Sequence, residues 1–247
     1  MQQRTDEPAQ QPAPSRPTVL LTGFGPFPGI GANATSVLVP QLAALARRAL
    51  PGTIIVSHIL PTEWDRSLTE LESCLRIHRP VVALHFGVSS KANGFDIEVR
   101  GQNACIMSED AAGLLPLCQL INANGPDYLA ATIPAAHIVS RLRRLGLPSR
   151  LSRDAGGYLC NAVLYRSLEF ARVGMGAERT GFVHLPSHLV RERTPEREPL
   201  PARHLSWDDV MTGGLEIIRS TLRQAPTTIR HGQTGRRVTR ELPVAVR

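Results

Sequence analysis

Cys160 stands in Asp-Ala-Gly-Gly-Tyr-Leu-Cys-Asn at 154–161, and His184 in Gly-Phe-Val-His-Leu-Pro at 181–186. A glycine pair followed by an apolar stretch reads as a loop feeding a helix, which puts the thiol at a helix start. The helix field there favours the thiolate and makes the sulfur more nucleophilic. The apolar run around His184 reads as a strand that offers an imidazole as base. Together they point to a cysteine-nucleophile hydrolase working through a covalent intermediate. Each residue also has a blander reading: Cys160 as a buried structural thiol, His184 as a satisfied core histidine. Their weight comes from the pairing, which requires a third group to orient the ring. Glu98 is the candidate, although most unselected glutamates are solvated. His85, ending an apolar run, and His188, just past Pro186, are rival bases.

The elements that must position these groups follow from the hydrophobic pattern. Val19–Thr22 reads as a buried first strand ending at Gly23, followed by a Gly/Pro loop that carries Phe24 and Phe27. Residues 35–49 show helical spacing at Val37, Leu38, Leu42, Leu45 and Leu50, stopped by Pro51-Gly52. A strand over 54–60, a helix over 64–77 and a strand over 80–86 ending in Gly87 come next. Residues 88–128 are irregular, with a strand or hairpin expected around 96–102 and then a long loop. A loop of that length in a compact domain is usually functional. Beyond it the pattern predicts a helix at 134–145, a strand near 150–152, a helix begun at Cys160, a strand at 181–185 and a final helix over 206–224 capped by Ser206.

Alternation of this kind predicts an α/β fold with a mainly parallel twisted sheet covered by helices on both faces. In such sheets ligands gather at the carboxyl ends of the strands. The loops carrying Phe24 and Phe27, Val88–Glu98, and Cys160 are therefore expected to converge on one cleft. Aromatics in a Gly/Pro loop make poor core material, so Phe24 and Phe27 are expected as pocket walls.

Composition narrows the classes. The chain has 247 residues, 42% of them hydrophobic, enough for one sizeable core. Residues 1–17 are polar and Pro-rich, and are expected to form a disordered leader ahead of a single domain over 18–225; residues 226–247 read as a basic flexible tail. No apolar run reaches the roughly 18 residues a bilayer demands, and no signal-peptide core opens the chain, so no membrane role and a cytoplasmic location are expected. Cys74, Cys105, Cys118 and Cys160 form no Cys-x-x-Cys pair and no metal-ligand spacing. Reduced thiols are expected, with Cys74, Cys105 and Cys118 as small core hydrophobes. The net charge of +7 comes with only 4% aromatics, none interleaved with the arginines, so a solvated basic surface is favoured over nucleic-acid binding. The loop at 23–29 lacks phosphate-binding spacing. A homo-oligomer is compatible with the sequence.

Seven segments taken together resemble the pyroglutamyl peptidase I family, also called pyrrolidone carboxyl peptidases. They are Leu-Leu-Thr-Gly-Phe-Gly-Pro-Phe at 20–27, Asn33 with Thr35 and Ser36, Leu60-Pro61-Thr62, Ile97-Glu98 with Asn103, Ala131-Thr132-Ile133-Pro134, Ala155 to Asn161, and Gly181 to Pro186. Each is weak alone; their common order is specific, and they span nearly all of the expected folded part. The resemblance implies a three-layer α/β/α sandwich and a Cys-His-Glu triad, with no metal or cofactor, that removes an N-terminal pyroglutamyl residue from small peptides. By position it implies Cys160 as nucleophile, His184 as base and then acid, and Glu98 as the orienting carboxylate. It implies further that Phe24, Phe27, Tyr158 and Leu159 wall the lactam pocket, with Asn33 and Thr62 beside it. The chain departs from the family pattern in three places. Val99 follows Glu98 where arginine is usual, with Arg100 one place later; Val88 sits in a loop that often carries other small or polar residues; and Ala34 follows Asn33 where proline is common. These departures frame the alternative of an altered or inactive member, acting as a binding module or on another small amide.

Overall fold

The computed structural model describes residues 16–27, 33–187, 189 and 205–223. The leader expected at 1–17 and the tail at 226–247 fall almost wholly or wholly outside these residues. Strands β1 (Thr18–Phe24), β2 (Ile54–Leu60), β3 (Val82–Ser89), β4 (Phe95–Glu98), β7 (Ser149–Ser152) and β8 (Arg179–Pro186) form one sheet in the order β2-β1-β3-β8-β4-β7. Every pairing is parallel except that of β4 with β8. Because helices cover both faces, the central strands are near-continuous apolar runs: Val19, Leu20 and Leu21 of β1 are all fully buried.

Helices α1 (Ala34–Ala49), α3 (Ala135–Arg144) and α5 (Trp207–Arg223) pack on one face through Leu38, Leu42, Ile138, Leu142 and Ile217. Helices α2 (Trp64–His78) and α4 (Leu159–Arg172) cover the other through Leu71, Leu75, Ala162 and Leu168. The result is the three-layer α/β/α sandwich that was expected. Within α1 the buried stripe is Leu38, Val39, Leu42, Ala43 and Ala46. Val37 instead faces solvent and Leu45 is half-buried. The face is built partly from alanines, which counting large apolar residues overlooks. At α5, Ser206 caps as expected: its Oγ accepts from Asp209 N–H at 3.1 Å while the Asp209 carboxylate accepts from Ser206 N–H at 3.0 Å.

Four expectations are corrected. Strand β3 starts at Val82 and runs past Gly87 to Ser89. Segment 96–102, expected as a strand or hairpin, holds strands of two sheets: β4 joins the main sheet whereas β5 (Arg100–Gln102) pairs with β6 (Tyr128–Ala130), a strand that starts at the last residue of the segment read as irregular. Val99 is the branch point: its N–H donates to Ser152 O at 2.8 Å and its carbonyl accepts from Ala131 N–H at 2.9 Å, so its two hydrogen bonds belong to different sheets. Helix α4 begins at Leu159, one residue before Cys160. Of the thiols, Cys74 is buried and Cys105 half-buried against the core, but Cys118 is exposed and is no core residue. Its loop is polar at the backbone and lies on the surface. All four cysteines are free.

Candidate active site

The antiparallel insertion of β4 beside β8 sets Asp96 opposite His184 and Glu98 opposite Phe182. Phe95 and Ile97 point into the core under α3 and α5. Alternation therefore puts Asp96 and Glu98 on the other face, with His184. There His184 Nδ1 lies 2.8 Å from Glu98 Oε1, both side chains being buried. A ring that donates Nδ1–H to a carboxylate presents Nε2 to whatever lies on its far side. Cys160 shares the cleft with this ring and is near enough for its charge to favour the imidazolium. Three groups 62 and 24 residues apart along the chain, at 98, 160 and 184, are thus brought to one place.

Helix α4 delivers the sulfur. Tyr158 is its N-cap in extended conformation, and Ala162 N–H is the donor to Tyr158 O at 3.2 Å. The N–H groups of Leu159, Cys160 and Asn161 precede the first intrahelical bond and form the positive end of the helix, at the sulfur. Gly87 of β3 makes room: a Cβ there would lie 3.0 Å from Cys160 Sγ and 2.8 Å from Phe182 Cζ. Asn161 fixes the next element, since its Oδ1 accepts from Gln102 N–H at 2.8 Å and its Nδ2 donates to Gln102 O and Ala104 O at 2.8 and 2.9 Å.

Electrostatics couple the three. Burial works against the His184 imidazolium, but the Cys160 charge, the hydrogen bond to Cys160 and the Glu98 carboxylate together outweigh it and push the ring up to about 10. The ring is therefore held toward the imidazolium, the proton donor that a cysteine hydrolase needs for its leaving amine. Glu98 Oε2 is buried with no hydrogen-bond partner among the described residues.

Cys160 and His184 open onto a cleft of about 530 Å³. Phe24, Phe27, Asn33, Thr62, Tyr158 and Leu159 all line it, with Glu98 behind the imidazole. Phe24 is 2% exposed and also packs in the core with Leu60 and Phe182, so it is wall and core at once, not wall alone. Val88 lines the cleft as well. The rival base His85 does not: it is fully buried with Nδ1 2.8 Å from Thr22 Oγ1, and burial lowers its pKa to about 3. His188 lies outside the described residues. Arg100 turns away, donating to Arg153 O at 3.0 Å with its guanidinium 4.3 Å from the centre of the Tyr128 ring.

The long loop was expected to be functional, but sequence reasoning named none of the residues beyond Asn103 that it contributes. Ile106 lines the cleft, its N–H donating to Gly157 O at 2.8 Å. Trp64 Nε1 donates to Ser108 O at 3.0 Å, and Tyr158 Oη to Glu109 O at 3.1 Å, with the Trp64 and Tyr158 rings edge to face at 4.9 Å. Asp110 is the clasp. It accepts from Trp64 N–H at 2.9 Å, capping α2 from a distant part of the chain, and from Ala112 and Leu114 N–H at 2.8 and 2.9 Å. Burial favours its neutral form, yet these backbone donors hold the carboxyl below its usual range. No local signal marks a cap supplied by a residue so far along the chain. Ser89, Ser90, Lys91, Asp154 and Ser187 also line the cleft. Among the described residues, no group of three or more His, Cys, Asp or Glu is placed to hold a metal ion.

Residues 17–211 match the family model described as pyroglutamyl peptidase. The chain is 36% identical over 174 residues to the pyrrolidone-carboxylate peptidase of Chromobacterium violaceum, covering 68% of this chain and 77% of that one. It is 33% identical to pyrrolidone-carboxylate peptidase 1 of Ralstonia nicotianae, covering 84% and 94%. Among solved structures, a variant of the pyrrolidone carboxyl peptidase of Pyrococcus furiosus superposes with a TM-score of 0.73 at 25% identity, covering 83% of this chain and 98% of that one. Pyroglutamyl peptidase I of Bacillus amyloliquefaciens gives 0.72 at 25% identity, covering 83% and 96%.

Proposed function

The chain belongs to the pyroglutamyl peptidase family, and on that premise we propose that Cys160, His184 and Glu98 are the residues with which it hydrolyses the amide bond after an N-terminal pyroglutamyl residue. The observation that carries the assignment is the Glu98-oriented His184 ring sharing one cleft with the Cys160 sulfur. The thiolate attacks the carbonyl joining the lactam to the next residue. The oxyanion that forms is held by N–H groups at the start of α4. His184, as imidazolium, protonates the departing amine and leaves a thioester on Cys160.

Acylation then changes the ring. Sulfur in a thioester carries no charge, so the strongest influence favouring the imidazolium disappears and burial weighs more heavily. Neutral His184 becomes the base that takes a proton from water, while Glu98 keeps Nδ1–H in place. Water attacks the thioester and releases pyroglutamate. Phe24, Phe27, Tyr158 and Leu159 form an apolar slot for the uncharged ring, and Asn33 and Thr62 stand beside it as polar partners. Small peptides with an N-terminal pyroglutamate are the substrates, and no nucleic-acid or membrane partner is assigned.

The cytoplasm is where we place the reaction: four free cysteines suit a reducing compartment, and no helix of the described residues is long and apolar enough to cross a membrane. An inactive binding module is not favoured, because it has no use for a thiol beside an oriented imidazole. Reduced protein is expected to release the fluorophore from a pyroglutamyl coumarylamide. No release, under conditions where the Bacillus amyloliquefaciens enzyme turns over, overturns the reading.

A further inference from the structure

Across the triad's face of the sheet, the register sets Arg150 of β7, Asp96 of β4 and His184 of β8 in one row, and Ser152, Glu98 and Phe182 in the next. Arg150 grips Asp96 with both ends of its fork, Nε to Oδ1 at 2.7 Å and Nη2 to Oδ2 at 2.6 Å, and Nη2 also reaches Lys91 O at 3.3 Å. The Asp96 side chain is only 7% exposed. Two carboxylates, Asp96 and Glu98, therefore sit two residues apart on one buried face, and Glu98 Oε2 has no donor among the described residues. Like charges so placed disfavour each other's ionisation. A catalytic carboxylate that took up a proton would stop supporting the imidazolium.

Resting on the triad reading, we propose that the Arg150–Asp96 pair is a positioning device for the reaction: Arg150 neutralises Asp96 and lends its remaining field to Glu98, keeping Glu98 ionised against His184. Charged and titratable groups reach the Glu98 side of the sheet from each neighbouring element. His184 comes from β8, Cys160 from α4, Arg150 from β7 and Asp96 from its own strand, while the α3 and α5 side of β4 offers apolar core. Hydrogen bonds and charge from Asp96 hold the Arg150 guanidinium more firmly protonated, with a lesser contribution from Glu98. The segment 149–152 that brings Arg150 here is an edge strand with no other role in the cleft.

The test is kcat/KM against pH for Arg150→Gln, Asp96→Asn, the double variant and Glu98→Gln, with melting followed alongside. Arg150→Gln strands the Asp96 charge beside Glu98, raising the pH needed to ionise the site. The acid limb should move up by roughly one unit, so activity at a fixed pH on that limb should fall up to about tenfold. The double variant, with both charges gone, should return the limb to its original position and recover most of the activity, even if its melting temperature stays low. An acid limb unmoved in Arg150→Gln, or equally displaced in the double variant, overturns the proposal and leaves a plain structural ion pair. Should Arg150→Gln not fold, Asp96→Asn and Arg150→Lys decide: the limb is expected to stay or fall in the first and to stay in the second, and a rise in either overturns the proposal. Glu98→Gln separates the two readings. Full activity there sinks the triad itself, whereas a large loss there with no shift in Arg150→Gln sinks only the role of Arg150.

Discussion

At the residue scale, catalysis depends on a sulfur and an imidazole held in one cleft. Cys160→Ala and Cys160→Ser should each lower kcat/KM for a pyroglutamyl coumarylamide by roughly 10³-fold or more while leaving the fold intact. Glu98→Gln should cost about 10²-fold or more, because an amide can present N–H to Nδ1 and select the wrong tautomer. Its pH signature has a definite sign. The Glu98 charge and hydrogen bond help to raise His184 toward about 10, so their removal lets the ring deprotonate sooner and moves the alkaline limb of kcat/KM to lower pH. The same shift bears on stability. A ring raised above its ordinary 6.5 contributes fully below that pH and loses the contribution as pH climbs through about 10, so Glu98→Gln should flatten the decline of melting temperature over that window. Gly87 provides a steric check: Gly87→Ala drives a methyl against Cys160 Sγ and Phe182, and should cost about 1–3 kcal/mol together with a fall in kcat.

At the element scale, the helix that carries Cys160 and the strand that carries His184 were legible in the sequence, because a glycine pair before an apolar run and a bounded apolar run are local signals. Glu98 was not legible in that way. Its partner is 86 residues on, and only the antiparallel entry of a four-residue strand between β8 and β7 brings the two together. The split at Val99 was equally hidden, since it depends on which of two sheets takes each backbone group. Asp110 is the fullest case, a helix cap contributed from 46 residues away. Asp110→Ala should leave three backbone N–H groups without their acceptor, lower stability by about 1–3 kcal/mol and raise KM as the Ile106 wall loosens. Asp110→Asn, which keeps one oxygen acceptor, should lie between. An unchanged KM in a destabilised Asp110→Ala would detach the loop from the pocket.

At the scale of the whole molecule, the net charge of +7 is the feature most open to misreading. Several arginines of the 141–153 stretch are engaged within the fold: Arg141 with Glu216 at 2.8 Å, Arg143 with Ser149 O, and Arg150 with Asp96. Arg141 and Arg143 lie on α3 and Arg150 pairs with Asp96 at the sheet edge; none lines the cleft, whose charged lining among the described residues is Lys91 and Asp154 besides Cys160 and His184. A lactam substrate has no charge for them to grip. The protein should accordingly leave duplex DNA at or below physiological salt, and retention well above it would reveal a partner that the cleft does not account for.

The central claim is that pyroglutamate passes through a thioester on one sulfur. Mixing reduced protein with a pyroglutamyl coumarylamide, quenching in acid within the first turnovers and mapping the adduct by peptide mass measures this directly. One pyroglutamyl group on the peptide containing Cys160, absent in Cys160→Ala, is the predicted result. Turnover with the group on Cys74, Cys105 or Cys118, or turnover that survives in Cys160→Ala, would contradict it.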